Sequence, residues 1–142
     1  YYSILLNEKK IGIDKLKFYL SFQKRINLLR INFKKFIFNK IKKKKSIYAY
    51  GAAAKGNTFL NFMNLNDKHI KFIMDKNKKK INRLSPGGLI KIVDPKVVLS
   101  SQPDYILILA WNIKDEIIKD LKKNYNFKNT FVIAIPDLKE IL

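Results

Sequence analysis

Tyr19, Phe22, Ile26, Leu29, Phe33 and Phe36 recur at steps of three and four residues, the spacing that returns side chains to one face of an α-helix. Residues 11 to about 41 therefore predict one or two amphipathic helices. Their lysines face outward, and the Tyr19, Phe22, Ile26 and Leu29 face packs on the rest of the domain or on a separate part of the protein. After Lys45 the pattern changes. Residues 46–50 form a short β-prone run ending at Gly51, and residues 56–65 have helical texture. Residues 70–74 predict a second strand, stopped by Asp75-Lys76-Asn77. Ser85-Pro86-Gly87-Gly88 is a turn by composition, and residues 89–93 predict another short strand. Residues 105–110 are nearly all apolar, as in a strand buried on both faces of a parallel sheet. A helix over 112–123 follows, with Asn112 as its cap. A last buried strand covers 131–135 and ends at Pro136.

Strands alternating with helices predict a doubly wound α/β sheet. The organisation expected is a helical segment over residues 1–45 packed on a domain of residues 46–142. The strands at 47–50, 70–74, 105–110 and 131–134 should all be parallel, because each is followed by a connection long enough for a crossover. Right-handed crossovers would then gather the Gly51–Gly56 loop, Asp75 and Trp111 at the carboxyl edge of the sheet.

At 142 residues the chain suits one domain with a real core. No stretch approaches the ~18 apolar residues of a membrane span. The first residues lack the basic start and cleavage site of a signal peptide, so the cytoplasm is the expected compartment, with no membrane partner. The chain does not begin with Met and is expected to start inside a longer product. There is no Cys, which removes disulfides and thiolate metal ligands. The formal charge is +19. Only Arg25, Arg30 and Arg83 are arginines, and the lysines are spread along the chain. Nucleic-acid surfaces more often use Arg for bidentate contacts. The lysine excess, with abundant Asn and Ile, reads more as AT-rich coding than as a specific nucleic-acid footprint.

Tyr50-Gly51-Ala52-Ala53-Ala54-Lys55-Gly56-Asn57-Thr58 joins the first strand to the next helix. Small residues there allow either close approach of a ligand to backbone N–H groups at a helix start or tight packing of helix on strand. Asp75 is either a partner for a ribose hydroxyl or a turn former. The loop nearly spells a nucleoside-triphosphate loop, but Asn57 stands where the phosphate-binding Lys is needed. His69 is the only histidine and has no second metal ligand beside it. Asp115 and Glu116 are adjacent on a helix and diverge. Ser85, Ser100 and Ser101 lack a nucleophile context. Trp111 reads as a ligand-stacking ring or as a core-edge residue, and Asn112 as a cap first and a ligand contact second. No catalytic constellation emerges.

Taken together, these strings resemble the C-terminal domain of S-adenosylmethionine-dependent C-methyltransferases that act on nucleotide-linked deoxysugars. The hallmark YGAAAKGNT loop stands in full at Tyr50–Thr58, followed by the Asp75-led turn and Pro86-Gly87. Next come Pro103-Asp104-Tyr105, Trp111-Asn112 with Asp115-Glu116, and Ile135-Pro136. Gly88-Leu89 departs from the family pattern after Pro-Gly, where a small hydroxyl residue and often a His is usual. The resemblance implies a Rossmann-like fold and a wall of a nucleotide-sugar site. The implied site residues are Tyr50, Gly51, Ala52, Lys55, Gly56, Asn57, Asp75, Pro86, Gly87, Trp111 and Asn112. Catalytic residues, S-adenosylmethionine and structural zinc are implied for a separate catalytic part of the protein, the domain's expected partner. The alternatives are a lysine-rich nucleic-acid-binding module and a free-standing nucleotide-binding regulatory domain.

Overall fold

The computed structural model describes residues 2–142. Two helices open it, α1 (Tyr2–Ile11) and α2 (Leu16–Lys42). They break at Gly12, whose φ of +78° suits a residue without a side chain. Helix α1 falls within the expected helical segment of residues 1–45 but before its apolar stripe, and none of its residues is buried. Only the second half of α2 enters the core, where Phe33 and Ile37 are wholly buried. Tyr19 and Phe22 remain 53% and 50% exposed, so this face packs on the rest of the chain only from Ile26 onward.

The remaining elements are β1 (Ile47–Tyr50), α3 (Ala54–Phe62), β2 (Ile73–Met74), β3 (Ile92–Val93) and α4 (Pro95–Val98). After them come β4 (Tyr105–Ile108), α5 (Lys114–Tyr125), β5 (Thr130–Ile133) and β6 (Lys139–Ile141). The sheet order is β3-β2-β1-β4-β5-β6. Strands β1 to β5 are parallel, and β6 runs antiparallel to β5. The four strands expected to be parallel are so, and β6 is an additional edge strand that the expectation did not include. Residues 134–138 are too few for a crossover, so the chain can only turn back on itself. Strands β2 and β3 are shorter than expected. Residues 66–70 are taken up by a turn in which the His69 and Ile70 N–H groups donate to the Asn66 carbonyl, and Leu89 sits at φ +53° in the turn before β3.

Alternation along the strands divides the core in two. Ile47, Ala49, Leu107, Leu109 and Val132 face α2 and α3 with Phe33, Phe59 and Leu60. Tyr48, Tyr50, Ile106, Ile108 and Phe131 face α4 and α5 with Val98, Ile117 and Leu121. The result is a mixed α/β molecule with a six-stranded, mostly parallel sheet between helices. No helix of the described residues is long and apolar enough to cross a membrane.

The amino ends of β1 and β4 are stapled by Asp104. Its carboxylate accepts the Ser46 N–H and hydroxyl, both at 2.8 Å, and the Lys45 ammonium at 2.9 Å. Lys45 first, then the Ser46 N–H, pulls the Asp104 pKa down to about 2. A depressed folded-state pKa stabilises the protein above the ordinary carboxylate range and loses that contribution as pH falls toward about 2. Asp104→Asn should therefore be less stable at neutral pH but lose less on acidification. Urea midpoints at neutral pH and near the carboxylate range check this, and parallel pH curves for both proteins would contradict it. The effect should be modest, since the pair is partly open to solvent.

Candidate functional site

The parallel strands bring Gly51, Asp75 and Trp111 to one carboxyl edge, each just beyond the end of its strand. Gly51 has φ +97°, and a Cβ there would lie 3.1 Å from the Cβ of Ala110. Its lack of a side chain lets the ends of β1 and β4 close, with the Leu109 N–H donating to the Tyr50 carbonyl at 2.9 Å. Gly56 is buried in the first turns of α3, where a Cβ would come within 2.7 Å of the Leu109 Cβ. Both glycines thus serve close packing of the loop and helix on β4.

Asp75 is occupied by the protein itself. Its Oδ2 accepts the Ala52 N–H at 2.9 Å and the Lys80 ammonium at 3.3 Å, and its Oδ1 accepts the Asn77 N–H at 2.8 Å. Lys80 also donates to the Ala52 carbonyl at 2.9 Å. Most of the acceptor capacity that a ribose hydroxyl would use is therefore spent on fixing the loop. Sequence reasoning missed Lys80, which looked like one more residue of the run Lys78-Lys79-Lys80.

Helix α3 starts at this edge with Ala53 as its cap residue and no side-chain capping bond. Its first N–H groups have no intrahelical acceptor and carry the positive end of the helix dipole. Lys55 stands beside them, with its ammonium 4.9 Å from the centre of the Trp111 ring and bonded to Asn112 Oδ1. Trp111 rests edge-on against Phe59 at 6.2 Å. Trp111 and Asn112 belong to a short 3₁₀ turn, residues Trp111–Ile113, and α5 begins only at Lys114 without a side-chain cap. The expected capping role of Asn112 is thus overturned, because its amide oxygen is used by Lys55. Asn57 Oδ1 is buried and has no hydrogen-bond partner among the described residues.

Two groups of expected residues do not join this cluster. The Tyr50 ring turns to the α4–α5 side of the sheet. Burial there, helped by the charges of Asp120 and Asp75, raises its pKa to about 12, so the hydroxyl stays protonated. Pro86 and Gly87 lie near the last turn of α3, where Asn61 donates to the Pro86 carbonyl at 3.3 Å. The neighbouring Gly88 carbonyl accepts the Asp67 N–H, which places this turn toward the amino edge of the sheet.

The family model described as C-methyltransferase C-terminal domain matches residues 2–136. The chain belongs to this family. Among curated relatives, the C-methyltransferase NovU of Streptomyces niveus is 30% identical over 138 residues, covering 97% of this chain and 33% of that protein. The chain thus spans about a third of that relative's length. Within this C-methyltransferase C-terminal domain, Lys55, Trp111, Asn112 and the α3 start form a compact polar and aromatic edge. No group of three or more His, Asp or Glu residues that could hold a metal occurs among the described residues.

Proposed function

We propose that this chain is the substrate-side domain of an S-adenosylmethionine-dependent C-methyltransferase acting on a nucleotide-linked keto-deoxysugar. The observation that carries the reading is the convergence, in a member of this family, of Lys55 and the uncapped start of α3 beside Trp111. Lys55 and the α3 N–H groups would meet the charge of a diphosphate, while Trp111 and Asn112 form the rim. Asp75 shapes this wall through the loop it holds. The strand order β3-β2-β1-β4-β5-β6 supports a Rossmann-like, doubly wound reading of residues 46–142, with residues 1–45 as a helical segment packed on it.

The residues of this chain do not suit the family's other groups. His69 has no second ligand for zinc, and Asp75 is too fully engaged to hold a cofactor ribose. Methyl transfer is therefore assigned to a catalytic part of the same protein, with this chain orienting the sugar nucleotide. The reaction class proposed for the whole is proton removal beside a keto group followed by carbon methylation. The apolar groove of about 210 Å³ between α2 and α3, lined by Phe22, Ile26, Leu29 and Phe62, would dock that part.

Calorimetry of the chain with a thymidine-diphosphate sugar and with S-adenosylmethionine tests the reading. The sugar nucleotide should bind weakly, and Lys55→Ala should lose ~1–2 kcal/mol of that binding. S-adenosylmethionine should not bind, and no methyl transfer should occur. Saturable binding of S-adenosylmethionine, or an unchanged affinity in folded Lys55→Ala, would overturn the assignment.

A further inference from the structure

A second concavity lies at the opposite, amino edge of the sheet, between the end of α2 and residues 66–71. It is an open concavity of about 360 Å³, with Ile41 and Ile47 as its apolar lining. Four lysines surround it: Lys44, Lys45, Lys68 and Lys71. Lys45 is matched by Asp104. Lys44, Lys68 and Lys71 form no ion pair among the described residues, and Asp67 is the single carboxylate in the lining. The lysines that looked scattered in sequence are brought together here from two segments.

His69 also lines the cavity. Its Nδ1 accepts the Asn66 N–H at 3.2 Å, which leaves Nε2 as the protonated, donating nitrogen of the neutral ring. The Phe38 ring packs edge-on against it at 5.2 Å and fixes its plane. Burial, followed by the charges of Lys34 and Lys68 and opposed by Asp67, keeps the imidazole pKa below its ordinary value. The residues lining the pocket therefore include three lysines without an ion pair and a neutral imidazole whose Nε2 is free of hydrogen bonds to the described residues.

We propose that this pocket binds a condensed phosphate, of diphosphate or triphosphate size, at a site distinct from the Lys55 edge. A single carboxylate would leave most of the lysine charge unmatched, whereas a phosphate chain supplies several charges and many acceptor oxygens. Lysines suit such a ligand, because they act as mobile point charges and need no planar, bidentate geometry. The volume lies within the range of small-ligand sites and is large enough for a phosphate chain.

The test is calorimetric titration of the chain with inorganic tripolyphosphate at physiological ionic strength. Binding should be saturable with one site, and the His69 ring resonances should move on addition. The pair Lys68→Glu with Lys71→Glu should lower affinity by at least about tenfold, the loss expected for charge-assisted contacts. Lys119→Glu with Lys123→Glu makes the same change in net charge on the exposed side of α5 and should stay within about twofold. Asp67→Asn should tighten binding. Circular dichroism confirms that each variant is folded. Equal losses from both lysine pairs would reduce the effect to diffuse attraction by a +19 chain and overturn the proposal. So would a failure to saturate, or displacement by a DNA duplex that binds more tightly with the same variant dependence.

Discussion

Phe33→Ala should destabilise the protein by about 3–5 kcal/mol, the usual loss when a fully buried aromatic ring leaves a cavity. Phe33 is 0% exposed and packs against Phe59 of α3 with ring centres 5.1 Å apart, while Phe36 stacks at 6.4 Å on its other side. It therefore joins α2 to the helix that carries Lys55. Phe22 lies three turns earlier on the same stripe and is half exposed, so Phe22→Ala should cost about 1 kcal/mol or less. Urea unfolding of the two variants measures the contrast. A single transition with a large loss for Phe33→Ala makes the second half of α2 part of the folding unit. A small loss, or a separate early transition, would mean that the helical segment detaches and that residues 46–142 fold without it.

The parts of this fold that were legible in sequence are those whose side chains are buried on a fixed period. The strands around Ala49, Leu107 and Val132 announced themselves because both of their faces are covered, leaving continuous apolar runs. Helix α1 was anticipated only as part of a helical segment over residues 1–45, without bounds of its own, and none of its residues is buried. Strand β6 was missed because Lys139 and Glu140 are exposed at the sheet edge, where burial leaves no signature. Lys40 draws Glu140 of that strand to α2 at 3.1 Å, a contact across the chain that no local pattern announces.

The candidate site was legible as a location and less so as chemistry. The Gly51 loop, Asp75 and Trp111 meet because parallel strands end on one edge, a consequence of topology that residue spacing could anticipate. What each polar atom does there was not readable. Asp75 could be identified as a strand-end acid, but its engagement by Ala52, Asn77 and Lys80 depends on the path of the loop. The position of Pro86 and Gly87 was unreadable for a related reason. Their turn joins residues 82–85 to β3 through an antiparallel bridge, Leu84 to Lys91, which carries the turn to the amino edge. Nothing local in Ser85-Pro86-Gly87-Gly88 tells which edge it will occupy.

Gly56 offers the sharpest test of whether the small residues of the hallmark loop serve packing. In an isolated helix, Gly→Ala gains up to about 1 kcal/mol from backbone entropy. Here the new Cβ would sit 2.7 Å from the Leu109 Cβ and 3.3 Å from the Gly51 carbonyl oxygen. Overpacking of this kind costs ~1–3 kcal/mol, so Gly56→Ala should be net destabilising and Gly56→Val more so. Leu109→Ala alone should also destabilise, by ~2–5 kcal/mol, since Leu109 is 1% exposed. The double variant Gly56→Ala with Leu109→Ala keeps the Leu109 Cβ that makes the 2.7 Å contact, so its loss should be close to the sum of the two single losses. Ala54→Ser, at an exposed position in the same turn, should remain within about 0.5 kcal/mol of the parent. If Gly56→Ala proves neutral or stabilising, α3 can lift from β4 at no cost. The glycine would then have to be explained by the ligand at this edge, and sugar-nucleotide affinity in that variant would be the quantity to measure next.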